Sequence, residues 1–142
     1  MIPRVGGLSL SGLRPRCCLW YDGGMGTFIH RMTLLSADAS SREELDALVD
    51  TGATFSSAPP EVLERLGMRR EARVRLRLAS GQVMERSLGF VRVELLEERR
   101  IIPITFADQG EPAVIGAITL ETFLLAVDPV AQRLVPVEGL MV

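Results

Sequence analysis

Leu45-Asp46-Ala47-Leu48-Val49-Asp50-Thr51-Gly52-Ala53-Thr54 is the stretch on which the reading of this chain turns. Leu45 to Val49 reads as a short apolar strand, and it runs without a break into Asp50-Thr51-Gly52. Taken alone, that tripeptide is a turn: Asp and Gly are turn residues, and Thr often caps. Its setting says more. Three apolar residues precede it, Ala53-Thr54 follow it, and a helix start lies within ten residues.

That helix is announced by Pro59-Pro60-Glu61, with apolar residues at 62, 63 and 66 and a stop at Gly67. Upstream, Thr27 to Leu35 is rich in β-formers and reads as a strand, and residues 36–44 read as a polar turn. Downstream, Ala72 to Leu78 alternates strictly, with Val74, Leu76 and Leu78 on one face and Arg73, Arg75 and Arg77 on the other. Ser80-Gly81 turns the chain, and Val83 to Leu96 supplies one or two return strands. Gly89 falls where the alternation changes phase, as a bulge would. Glu97 to Arg100 reads as a second polar turn and Ile101 to Phe106 as a strand. The apolar run Ala113-Val114-Ile115-Gly116 follows Pro112. Thr119-Leu120-Glu121 opens a short helix, and Leu124–Asp128 and Leu134–Val137 close the chain as a hairpin turning at 129–132. The expected fold is mostly β, with one or two short helices.

The chain is 142 residues long, one domain's worth, with 47% hydrophobic and 24% charged residues and a formal net charge of −2. That balance argues against binding nucleic acid through bulk positive charge, and the arginine stripe lacks the aromatic partners such binding uses. Lys and Asn are both absent, so a phosphate-loop lysine, a Schiff-base lysine and N-glycosylation are excluded. A single histidine, His30, removes the paired-His zinc motifs, and no metal site is expected. His30 itself reads as a surface or interface residue, and Asp128 before Pro129 as a turn residue. Cys17 and Cys18 are adjacent, poor geometry for a bridge, which fits a reducing compartment. No stretch approaches the length of about 18 apolar residues that crosses a bilayer. The Arg-, Gly- and Pro-broken N-terminus lacks the apolar core of a signal peptide, so the expected location is cytoplasmic, without a membrane partner. Residues 1–24 read as a disordered leader or a mis-assigned start, with Met25 a candidate first residue and 25–142 the domain.

The ordered set of Asp50-Thr51-Gly52-Ala53, a short helix, a hairpin with a Ser-Gly tip and then Val114-Ile115-Gly116 resembles the retropepsin family of aspartic peptidases. The likeness is to the small retroviral-type members of bacteria and archaea, and it covers about residues 25–140. It implies a closed β-barrel of the acid-protease half-domain type. It also implies a homodimer, because such proteins carry one Asp-Thr-Gly per chain and need two; no second Asp-(Ser/Thr)-Gly occurs here. Asp50 is then the catalytic residue, acting on a peptide or unfolded protein with no cofactor. Thr51 fixes the paired carboxylates across the dyad, and Gly52 and Ala53 keep the backbone close to substrate. Val114, Ile115 and Gly116 form the strand beneath the active-site loop. The hairpin becomes a flap with its tip at Ala79, Ser80, Gly81 and Gln82. Arg73, Arg75 and Arg77 would favour acidic peptides if they lay over the cleft. Two departures from the family pattern are Ala117-Ile118-Thr119 after Gly116, and the small, polar Phe55-Ser56-Ser57-Ala58. The alternative is a non-catalytic dimerisation or peptide-binding module on the same fold.

Overall fold

A computed structural model describes residues 27–141; the expected leader, with Cys17 and Cys18, and the candidate start Met25 lie outside them. The strands and helices run β1 (Phe28–Leu35), β2 (Arg42–Val49), β3 (Ser56–Ala58), α1 (Pro60–Arg65), β4 (Ala72–Arg77), β5 (Val83–Leu95), β6 (Glu98–Phe106), β7 (Ala113–Ile115), α2 (Ala117–Thr122), β8 (Leu125–Asp128) and β9 (Arg133–Pro136).

The sheet order is β1-β2-β7-β3-β6-β5-β4, and β1 also pairs with β5. The ring β1-β2-β7-β3-β6-β5 is therefore closed, and β4 hangs from it as an extra strand. Closure removes most of the open edge that a sheet of this size would otherwise expose. The length of β5 makes both features possible. Its first part, Val83 to Leu88, pairs with β4, and its second, Leu88 to Leu95, pairs with β6. The fold is a mostly-β closed barrel with two short helices and a separate β8–β9 hairpin.

The barrel interior is filled mainly from five strands of the ring, with Ala58 added from β3. Met32 and Leu34 of β1, Val49 of β2, Val91 and Val93 of β5, Ile102 and Ile104 of β6 and Ile115 of β7 are almost fully buried in one cluster. Each such side chain contributes about 1.5–3 kcal/mol on leaving water. Leu63 of α1, Leu120 of α2 and Leu134 of β9 join the same core, so both helices and the last hairpin pack on the barrel.

Helix α1 ends as its glycine requires. Gly67 takes φ +82°, its N–H donates to the Glu64 carbonyl, and the Met68 N–H donates to the Leu63 carbonyl. This doubly bonded stop satisfies carbonyls that the helix would otherwise leave open. The turn before β2 is held by Asp38, which accepts from Ser40 Oγ at 2.7 Å, Ser40 N at 3.0 Å and Ser36 Oγ at 2.9 Å. Those bonds, the Ser40 hydroxyl first, hold its carboxyl down at about 2.

The sequence reading needs three corrections. Strand β2 begins at Arg42 rather than Leu45, and β6 begins at Glu98 rather than Ile101. In both places polar residues form strand because their ladders are complete and their charges face solvent. Arg42 to Glu44 pair with Leu35 to Thr33, while Glu43 bonds Arg65 and Glu44 bonds Arg31. The β5–β6 turn is Leu96-Glu97, both at positive φ, a two-residue turn whose twist matches the strands. Finally, Gly89 is no bulge: the register from Leu88↔Thr105 to Leu95↔Glu98 is unbroken. A Cβ there would sit 2.6 Å from the Arg69 carbonyl oxygen, so this glycine lets another backbone pass.

Candidate active site

Asp50 stands where two parallel strands end together. Strand β2 pairs with β7 in the register Ala47↔Ala113, Leu48↔Val114 and Val49↔Ile115. The ladder carries one step beyond β2, as the Asp50 N–H donates to the Ile115 carbonyl at 3.0 Å. The backbone then folds back on itself: Gly52 N–H donates to Asp50 Oδ1 at 2.9 Å, and Ala53 N–H to the Asp50 carbonyl at 3.1 Å. One oxygen of Asp50 is thus used to shape the loop that carries it, an Asx turn. Asp50 is half-buried, and Thr51 and Gly52 are exposed. Asp50 takes part in none of the ion pairs formed among the described residues.

The loop is clamped from below by the residues after β7. Ala117 N–H donates to the Ala53 carbonyl at 2.7 Å, and Ile118 N–H to the Thr54 carbonyl at 3.1 Å. Two backbones therefore cross in contact at Gly116, where an added Cβ would lie 2.5 Å from the Phe55 oxygen and 2.8 Å from the Ala53 oxygen. Asp50, Thr51, Gly52 and Ala53 are brought against Val114, Ile115 and Gly116 by these bonds, so two segments far apart in sequence form one structural unit.

Ser56 ties the crossing together, a role the sequence reading missed. Fully buried, its hydroxyl accepts from the Gly116 N–H at 3.0 Å and shares a hydrogen bond with the Thr119 hydroxyl. The polar Ser56, part of the Phe55-Ser56-Ser57-Ala58 departure from the family pattern, is thus matched across a buried contact by Thr119. Ser56→Ala would strand both the Gly116 N–H and the Thr119 hydroxyl. A loss of about 1–3 kcal/mol in urea-unfolding stability is expected, with the Thr119→Val partner substitution non-additive to it.

The β4–β5 hairpin shares a cavity with Ala53, Phe55 and Val114. Leu78 N–H donates to the Gln82 carbonyl at 2.7 Å, Gly81 takes φ +92°, and Ala79 to Gln82 form the exposed tip. The face of β4 turned toward this cavity is the apolar one. Leu76 and Leu78, with Phe55, Met84 and Val114, line this cavity of about 180 Å³. Arg73, Arg75 and Arg77 are on the opposite, exposed face, where Arg73 pairs with Glu85 and Arg77 donates to the Gly81 carbonyl. The condition for an acidic-peptide preference, arginines over the cleft, is not met.

One end of the cavity carries Arg86 of β5 and Glu111 of the loop between β6 and β7. Arg86 is only 9% exposed, and its two terminal nitrogens donate to the two Glu111 oxygens at 2.9 Å each. Asp108 Oδ2 lies 3.1 Å away as a second counter-charge. The Arg86 hydrogen bonds hold the Glu111 carboxyl below the usual glutamate value, against a partial burial that raises it. The stability supplied by this pair is therefore fully present above the ordinary value of 4.5 and is lost as the pH falls through the lower folded one. Urea denaturation should show Glu111→Gln less stable than wild type at neutral pH, with the gap closing in acid. Neither residue stood out in sequence: an isolated arginine in a strand and a glutamate before Pro112 carry no signal.

The remaining candidates lie elsewhere. His30 is on β1, its Nδ1 2.8 Å from the Arg31 carbonyl, and Asp128 caps the β8–β9 turn by accepting from Val130 and Ala131. Among the described residues no cluster of His, Cys, Asp or Glu could hold a metal, and no helix is long and apolar enough to cross a membrane.

A family described as aspartyl protease matches residues 36–119, a span that contains Asp50, the hairpin, and Val114 to Gly116. No curated protein matches the chain. Among solved structures, the simian foamy virus (mac) protease is similar over 66% of this chain and 92% of its own, at 12% identity and a TM-score of 0.48. The EIAV protease complexed with the inhibitor HBY-793 is similar over 67% of this chain and 86% of its own, at 17% identity and a TM-score of 0.49.

Proposed function

The chain belongs to the aspartyl protease family, and from that premise we propose that it is an endopeptidase whose two Asp50 carboxylates meet across a homodimer dyad. The observation that carries the reading is the Asp50 loop itself. It is braced from beneath by β7 and Gly116, exposed at Thr51 and Gly52, and set beside an apolar cavity under a hairpin. One such loop offers a single carboxylate, which can act as a base or an acid but not as both at once. A second copy supplies the missing group, and a two-fold axis through the exposed face of the loop brings like to like.

Two carboxylates held a few ångströms apart do not both ionise, so the pair carries one shared proton. The ionised Asp50 takes a proton from a water, whose oxygen forms a bond to the scissile carbonyl carbon. The protonated Asp50 gives its proton to the carbonyl oxygen, leaving a tetrahedral diol. Transfer of a proton to the peptide nitrogen then breaks the carbon–nitrogen bond, and a carboxylic acid and an amine leave. Thr51, exposed at the tip, would bond across the dyad, and Gly52 would keep the loop backbone open to substrate. The hairpin tip at Ala79 to Gln82 would close over the bound peptide, excluding water. The chemistry asks for no cofactor.

The test is incubation with an unfolded protein at mildly acidic pH, with and without an inhibitor that mimics the tetrahedral diol. Cleavage that the inhibitor stops supports the reading. A stable dimer that cuts nothing across a wide pH range supports a non-catalytic peptide-binding module instead.

A further inference from the structure

The cavity under the hairpin has apolar walls and a charged end, and that end is not neutral. Arg86 and Glu111 line that end with one charge of each sign, and Asp108, outside the cavity lining, brings a second negative charge within 3.1 Å of Arg86. Both terminal nitrogens are already engaged, since Nη1 and Nη2 each donate to a Glu111 oxygen and Nη2 also reaches Asp108 and the Met84 sulfur, and the side chain is only 9% exposed. It has little left to offer an incoming carboxylate. The carboxylates differ from it in this respect: Glu111 and Asp108 remain substantially exposed and keep unused lone pairs.

Resting on the peptidase reading, the geometry points to Glu111, held in place by Arg86, as the specificity determinant of this cavity. It admits a peptide side chain with a long aliphatic stem, neutral or cationic at its tip, and turns away a carboxylate. The stem lies against Leu76, Leu78 and Met84, whose apolar surface is removed from water by the contact. A volume of about 180 Å³ is close to that of apolar cavities known to hold a benzene-sized guest, so one large side chain fills it. A cationic tip reaches the surplus negative charge. An acidic tip meets like charge there and is turned away by it.

A binding readout separates this assignment from the chemistry. Asp50→Asn protein is immobilised and offered a synthetic peptide library of known composition, and the retained peptides are sequenced. Peptides with Leu, Met, Lys or Arg at one position should be retained about tenfold over those with Asp or Glu there. Adding Glu111→Gln and Asp108→Asn leaves Arg86 uncompensated, and acidic peptides should then gain about tenfold. Glu111→Gln alone, the milder change, should give an intermediate gain, with folding of each variant checked by circular dichroism. Equal retention of acidic and neutral peptides, or a preference that the substitutions leave unmoved, would overturn the assignment. Cleavage by the protein with Asp50 intact is scored separately. Selective binding without cleavage sinks the peptidase reading and leaves the cavity assignment standing.

Discussion

Asparagine in place of Asp50 is expected to abolish peptide cleavage while leaving the fold and the dimer intact. The side chain keeps its size and its Oδ1, so it can still accept the Gly52 N–H that shapes the loop. Stability in urea should therefore change by no more than about 0.5 kcal/mol. The lost property is proton exchange. An amide neither takes a proton from water nor donates an acidic one, and in a homodimer both copies are altered together. General acid–base catalysis of each kind is worth about 10²–10⁴-fold, so loss of both places the fall at about 10⁴-fold or more. The assay is cleavage of an unfolded substrate by matched amounts of the two proteins. Residual activity within tenfold of wild type would mean that the carboxylate is not the base.

Alanine in place of Gly116 is expected to damage the protein in the opposite way, through its structure. The new Cβ would lie 2.5 Å from the Phe55 carbonyl oxygen and 2.6 Å from its carbon, with the Ala53 oxygen at 2.8 Å. All three are backbone atoms, so no rotation of a side chain relieves the contact. Either α2 moves away, breaking the Ala117–Ala53 and Ile118–Thr54 hydrogen bonds, or the Asp50 loop shifts. A loss of about 3 kcal/mol or more in urea-unfolding stability follows, and cleavage falls with it because the loop is no longer braced. Gly52→Ala is the control. Its Cβ would meet only Asp50 Oδ1, at 3.3 Å, the far end of a side chain, so its effect on stability should be much the smaller.

Much of this architecture is written locally. The strict alternation of Val74, Leu76 and Leu78 with arginines marks β4, and the structure, not the alternation, shows that its apolar face is the one that turns to the cavity. Pro59-Pro60-Glu61 and Gly67 mark both ends of α1, because each acts through its own backbone. The Asp50 loop and the strand beneath it were legible as a pair only through the family likeness, since nothing in either segment announces the other. The rest depended on distant partners. Ser56-Ser57-Ala58 is too short and too polar to read as a strand, yet it pairs with both β6 and β7 because Ser56 spends its polarity on Gly116 and Thr119. Arg42 to Glu44 read as turn residues and form strand because solvent lies on their outer side. Arg86 and Glu111 are 25 positions apart and acquire meaning only when the hairpin folds over the loop.

The central claim is that one carboxylate per chain is not enough. Wild-type and Asp50→Asn protein can be mixed in equal amounts, allowed to exchange partners, and assayed at a fixed total concentration high enough to keep every chain paired. If both carboxylates of a pair are required, only the pairs with two intact copies cut, and activity is about one quarter of that of the same amount of pure wild type. Activity of about one half, in direct proportion to the intact chains, would show that each chain works alone and would contradict the account.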